Sequence, residues 1–196
     1  MNPPWRPAQQ CRPGSDTLDL WRIELVERAG DYDLLSAEER QRFDRLIVPA
    51  KRRQRIAARA ALRRILAHYL GGAPGELCFE YGEHGRPAVV GKSLPFNLSH
   101  SREVAVVAVT ERGLVGADVE WKEPERRLDA LAERFFAPAE WRSFDALPTE
   151  QRFDVFYRTW CRKEAYLKAQ GTGLSFSSRR FEVEMPDPAT RGDGPT

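Results

Sequence analysis

The chain has 196 residues, with 31 Lys plus Arg against 29 Asp plus Glu for a formal net charge of +2, a balance that argues against a generic polyanion binder. A hydrophobic share of 41% with 31% charged residues is that of a globular protein with a real core, not of a disordered chain. Cys11, Cys78 and Cys161 are odd in number and far apart, which speaks against a disulfide framework or a zinc site. No apolar run approaches the ~18 residues of a membrane span. Met1 to Leu20 carries prolines and polar residues where a signal peptide needs an apolar stretch, so a cytoplasmic protein is expected.

Residues 1–17 are rich in Pro, Gln and Gly, and residues 186–196 have the same character, so both read as disordered tails. Between them lie an N-terminal half over 18–114 and a C-terminal half over 115–185. Trp21, Ile23 and Leu25 interleaved with Arg22, Glu24 and Glu27 predict a short strand. Ser36 followed three residues later by Glu39 is a capping-box signature for a helix start. A long helix follows from about Pro49 to Leu70, closed by Gly71 and Gly72. Turn-rich text around Gly82, Gly85 and Pro87 leads to two β-rich runs, Glu103 to Thr110 and Leu114 to Trp121, with Glu111-Arg112-Gly113 as a hairpin loop. Leu128, Leu131 and Phe135 share a helix face, and Pro138 starts another helix that ends by Pro148. The last helix runs from about Glu150 to Gln170 with Gly171 at its C′ position. Phe181 to Glu184 reads as one more strand.

The long first helix opens with a basic stretch, Lys51 to Arg64, holding seven cations and no acid; without it, 24 basic residues face 29 acidic ones, a net −5. Positive charge is therefore concentrated. Ala58, Leu62, Ile65 and Tyr69 form a buried stripe, and extending it backward reaches Arg55 and Lys51, which should point toward a cleft where an anion satisfies them. The other arginines, Arg53 and Arg64 among them, are expected to face water.

In Gly116-Ala117-Asp118-Val119-Glu120, residues i and i+2 of a strand point the same way, so two carboxylates emerge side by side. A divalent cation removes their repulsion, and hard oxygen ligands suit Mg²⁺; on the solvent face of an edge strand they need no cation. In the last helix, Glu164 falls on the apolar stripe of Phe153, Tyr157, Trp160 and Leu167. A carboxylate there needs a partner or a metal. Lys168, one turn on, either pairs with it or reaches a phosphate. Gly85-Arg86-Pro87 and Asn97-Leu98-Ser99-His100-Ser101 place further phosphate donors, Arg86, Ser99 and His100, in turns beside apolar strands.

Taken in order, these segments resemble the 4′-phosphopantetheinyl transferase superfamily, specifically the Sfp-type branch with two similar halves in one chain. The resemblance rests on Gly116 to Glu120, on Trp160-Cys161-Arg162-Lys163-Glu164-Ala165-Tyr166-Leu167-Lys168, and on the Gly-Arg-Pro and Asn-Leu-Ser-His-Ser segments. It implies an α/β (α+β) fold of two pseudo-symmetric halves, each a small antiparallel sheet packed with a long helix. Past the Gly171 to Phe176 segment this sequence departs from the family, turning to Pro-, Gly- and Asp-rich text after Met185 in place of further strands, so either a trimmed second half or a truncated chain is expected. It also implies coenzyme A and Mg²⁺ in the cleft between the halves, and transfer of phosphopantetheine to a carrier-protein serine in fatty-acid, polyketide or nonribosomal peptide synthesis. Asp118, Glu120 and Glu164 would hold the metal. Glu164, or a water on the metal, would take the serine proton, and Lys168 would meet the α-phosphate. Lys51, Arg55, Arg86, Ser99 and His100 would hold the other phosphates. Both halves in one chain imply a monomer, and neither a nucleic acid nor a membrane is expected as a partner. The alternative is a non-catalytic protein of the same fold that binds coenzyme A, or nucleic acid through the basic helix.

Overall fold

The computed structural model describes residues 6–7, 17–124, 127–171 and 176–189. Most of both expected tails, and residues 172–175, lie outside them. The elements are β1 (Arg6–Pro7), β2 (Leu18–Glu24), α1 (Ala37–Asp44), α2 (Pro49–Leu70), β3 (Phe79–Tyr81), β4 (Pro87–Val89), β5 (Phe96–Ser101), β6 (Val104–Thr110), α3 (Leu128–Phe135), α4 (Pro138–Asp145) and α5 (Thr149–Gln170). This is an α+β architecture. One antiparallel sheet has the order β1-β2-β6-β5, and β3 pairs with β4 separately.

Alternation along the strands decides what each face of the sheet does. Trp21, Ile23 and Leu25 from β2 and the residue after it, with Ala105, Val107 and Val109 from β6 and Phe96 from β5, bury themselves against Ala58, Ala61, Leu62 and Ile65 of α2. The opposite face of β6 packs Val106 and Ala108 on Val115 and Ala117. The second half builds its own core from Ala132, Phe136, Phe144, Val155, Phe156 and Tyr157, with the Phe136 and Phe156 rings stacked at 5.5 Å.

Local signals explain the helices. At α1 the Ser36 Oγ accepts from the Glu39 backbone N–H at 3.2 Å and the Glu39 carboxylate accepts from the Ser36 N–H at 3.0 Å, a complete capping box. Pro49 opens α2, and Gly171 caps α5 at φ 68°.

Three expectations give way. Leu114 to Trp121 is extended but pairs with no strand, because β6 already has β2 on one edge and β5 on the other. It lies instead along the side chains of β5, where Asn97 Oδ1 accepts the Ala117 N–H at 2.9 Å and Ser101 Oγ accepts the Trp121 N–H at 2.9 Å. Phe181 to Glu184 likewise has no ladder and is held by side chains of α4 and α5. Among the described residues the second half is therefore helical, with extended segments in place of a sheet.

The third concerns the basic helix. Arg63, expected in water, is 1% exposed, with Nε and Nη2 on Glu39 Oε2 at 3.0 and 2.8 Å and Nη1 on the carbonyls of Pro74 and Leu77. Arg59 pairs with Glu39 at 3.2 Å, and Arg64 with Asp31 at 2.6 Å. Much of the apparent positive patch is thus internal structure.

Candidate active site

β5 distributes its polar residues by parity. Asn97, Ser99 and Ser101 face the segment carrying the carboxylates, while His100 faces the other way. Ser99 Oγ donates to Asp118 Oδ1 at 2.8 Å, and Ser101 Oγ to Glu120 Oε2 at 3.3 Å. Lys168 Nζ, from the last turn of α5, donates to both Ser99 Oγ at 2.7 Å and Asp118 Oδ1 at 2.5 Å. Ser99, Asp118 and Lys168 thus form one closed triangle, although they arise from a strand, an extended segment and a helix.

Gly116 makes this meeting possible. A Cβ built there would sit 1.9 Å from the Ala165 carbonyl oxygen and 2.5 Å from the Ala169 backbone nitrogen. The segment therefore lies directly on the backbone of α5, and only a residue without a side chain allows it. Two residues later Asp118 reaches Lys168.

A cleft of about 410 Å³ adjoins the triangle, lined on its cationic side by Arg42, Arg55 and Arg59, at its rim by Tyr81 and His84, and on the α5 side by Glu164 and Lys168. Arg55, exposed toward the cleft, makes no hydrogen bond or ion pair within the described residues, and partial desolvation with the charges of Arg42 and Arg59 pushes its pKa down. Arg59 is already paired with Glu39, so Arg42 and Arg55 are the like charges facing this space that an anion relieves. Burial, reinforced by Arg55 and Lys168, also lowers His100, so its imidazole is neutral at pH 7.

Glu164 is half-buried, and its pKa is raised by burial and then by Asp118, against the opposing pull of Lys168. Cys161, just under one turn before Glu164 on α5, is pushed up by burial and by Asp118 beside it, so its thiol stays protonated.

The donor chemistry suits a hard divalent cation. Asp118 Oδ2 is buried and among the described residues receives no N–H or O–H donor, an expensive state for a carboxylate oxygen unless positive charge attends it. Among the described residues no three His, Cys, Asp or Glu groups converge closely enough to hold a metal ion. The ammonium of Lys168 supplies the positive charge at Asp118 instead.

Of the residues singled out from sequence, the cleft gathers Arg55, Arg86, Glu164 and Lys168, with Ser99, Asp118 and His100 beside it. Lys51 is exposed and is not part of the cleft lining. Arg86 lines the cleft but spends both Nη atoms on backbone carbonyls. Ser99 and His100 sit on a strand, not in a turn. Arg42 and His84 are singled out by no sequence pattern, and Arg59, expected to face water, lies on the cleft wall. Arg42 closes α1, a helix too short to show a face, and only the fold brings it opposite Arg55.

Comparison with known proteins decides the family. A family model of the 4′-phosphopantetheinyl transferase superfamily matches residues 114–191. Over 169 residues the chain is 41% identical to the 4′-phosphopantetheinyl transferase HetI of Nostoc sp., covering 82% of this chain and 71% of that one. The chain belongs to the 4′-phosphopantetheinyl transferase superfamily. A 4′-phosphopantetheinyl transferase of Bacillus subtilis is 32% identical over 166 residues, 81% of this transferase and 72% of the relative. The psf-1 transferase of Bacillus pumilus is 31% identical over 185 residues, 92% and 74% of the respective chains. Among the described residues of the transferase, no helix is long and apolar enough to cross a membrane.

Proposed function

We propose that this transferase moves the 4′-phosphopantetheine arm of coenzyme A onto a serine hydroxyl of an acyl or peptidyl carrier protein, releasing adenosine 3′,5′-bisphosphate. The observation that supports the reading best is the Ser99–Asp118–Lys168 triangle at the edge of a cleft whose other wall is cationic. Coenzyme A carries a pyrophosphate and a separate 3′-phosphate, and the two poles of the cleft suit two such anions.

The serine oxygen bonds to the phosphorus of the pantetheine phosphate as the bond from that phosphorus to the bridging oxygen breaks. Catalysis then depends on alignment and charge neutralisation. Lys168 Nζ meets the departing phosphate as charge collects on it. Arg55 and the neutral His100 hold the 3′-phosphate, and Ser99 Oγ orients the pyrophosphate. The Glu164 carboxylate takes the serine proton, and its raised pKa makes it a better base than an exposed glutamate. Asp118, Glu120 and Glu164, which do not converge among the described residues, would have to draw together to hold Mg²⁺, whose charge would then neutralise the pyrophosphate.

The test is intact-mass analysis of an apo carrier protein incubated with the transferase, coenzyme A and Mg²⁺, with EDTA and Glu164→Ala as controls. The expected result is a gain of one phosphopantetheine that both controls abolish. Coenzyme A binding without any gain across acyl and peptidyl carriers would replace this reading with that of a non-catalytic binding protein.

A further inference from the structure

Among the described residues Arg86 is a cation at the cleft with no acidic partner, and its hydrogen bonds run to the backbone. Nη1 donates to the carbonyls of Lys168 at 3.0 Å and Ala169 at 2.9 Å. Nη2 donates to the Val115 carbonyl at 3.0 Å and, at 3.5 Å, to that of Phe96. These acceptors belong to three segments: the last turn of α5, the stretch after β6 and the start of β5. Each segment carries one member of the triangle, namely Lys168, Asp118 and Ser99.

We propose that Arg86 is a positioning residue that sets Lys168 against Asp118 and Ser99, and not a ligand for substrate phosphate. The final carbonyls of a helix lack intrahelical donors, and a cation there is favoured by the helix dipole. The Gly171 N–H meets the Leu167 and Lys168 carbonyls at 3.0 and 3.3 Å, and Arg86 satisfies Lys168 a second time along with Ala169. The guanidinium is also the one side-chain group whose planar fork can serve carbonyls on two sides at once, which an ammonium cannot do. The Val115 carbonyl it grips directly precedes Gly116, the residue that lies against Ala165 and Ala169. Arg86 thereby clamps the same close approach from the first half of the chain. Turning toward a phosphate would strand carbonyls from all three segments.

The kinetic arm of the test rests on the transferase reading; the exchange arm does not. Arg86→Lys and Arg86→Gln, both verified as folded by circular dichroism, are compared with the parent for kcat, for KM toward coenzyme A and for amide exchange at the end of α5. Both variants are expected to lose about tenfold or more in kcat with KM changed less than about twofold, because a misplaced catalytic group costs rate more than binding. In a Lys168→Ala background the Arg86→Gln loss should shrink to under about twofold, since the two act as one unit. The Gly171 amide should exchange about tenfold faster in both variants. Near-parental kcat in Arg86→Lys together with a raised KM in Arg86→Gln would overturn the proposal, as would unchanged exchange. If the parent modifies no carrier, the transferase reading fails, and accelerated or unchanged exchange still decides for or against the clamp.

Discussion

Two lysines five residues apart on α5 each meet a carboxylate, and the two pairs are built in opposite ways. Lys163 and Glu140 are both 2% exposed, 2.6 Å apart, and saturated: Lys163 also donates to the Phe181 carbonyl, while Glu140 accepts the N–H groups of Ala137 and Val183. Lys168 is 31% exposed over an Asp118 side chain that is 4% exposed, and among the described residues Asp118 Oδ2 has no N–H or O–H donor. The first pair completes its own hydrogen bonding and joins α4, α5 and the segment after Phe181. The second leaves bonding capacity unspent beside a cleft. Burial of a charge alone thus says little about its role; what remains unsatisfied around it says more.

The sharpest way to break this contrast is to remove each lysine. Lys163→Met leaves Glu140 charged, buried and short of a partner, and should cost about 3–5 kcal/mol of unfolding free energy in a denaturant titration. Lys168→Met should cost distinctly less stability, because solvent reaches that pair, yet it should lower kcat about a hundredfold, the scale of losing one preorganised charge contact. Equal stability losses in the two variants would erase the distinction.

On the other side of the second pair, Asp118→Asn keeps the shape and removes the charge. Loss of roughly tenfold to a hundredfold in apparent Mg²⁺ affinity is expected from titration of activity against metal, with the melting temperature held or raised since a buried charge disappears. A large drop in melting temperature would make Asp118 structural, like Glu140.

Gly116→Ala tests how the second pair is assembled. The new methyl must displace the backbone of α5, an overpacking penalty of about 1–3 kcal/mol, and activity should fall beyond what that stability loss explains because Asp118 moves with it. A variant with parental stability would show that the contact is not tight.

The helices were legible in the sequence because their signals are local. Ser36 with Glu39, Pro49, Gly71 and Gly171 mark ends, and the bounds of α2 fall where the pattern put them. Ser99, Asp118, Glu164 and Lys168 were legible as motifs, but their contacts were not, since 50 residues separate Asp118 from Lys168. The segment from Leu114 to Trp121 misled because an apolar alternating run reads the same whether it pairs edge to edge or lies across side chains, and only the occupied edges of β6 decide. Arg63 misled for a related reason: its helix supplies no acid, and its partner Glu39 lies 24 residues earlier.

The smallest expected effect concerns His100, on the α2 side of β5 and within electrostatic reach of both Arg55 of α2 and Lys168 of α5. Burial and both cations lower its pKa from the ordinary 6.5. The unfolded chain therefore binds a proton at His100 at higher pH than the folded one does, so stability must fall as pH drops below about 6.5, and above that value His100 contributes no slope. His100→Gln removes this proton uptake while keeping a polar side chain. Denaturant titrations at several pH values from about 7.5 down to the folded-state titration should show a shallower acid-side loss in the variant than in the parent. Identical slopes would mean that neither burial nor those two cations act on His100, and the neutral imidazole assigned to the phosphate site would lose its support.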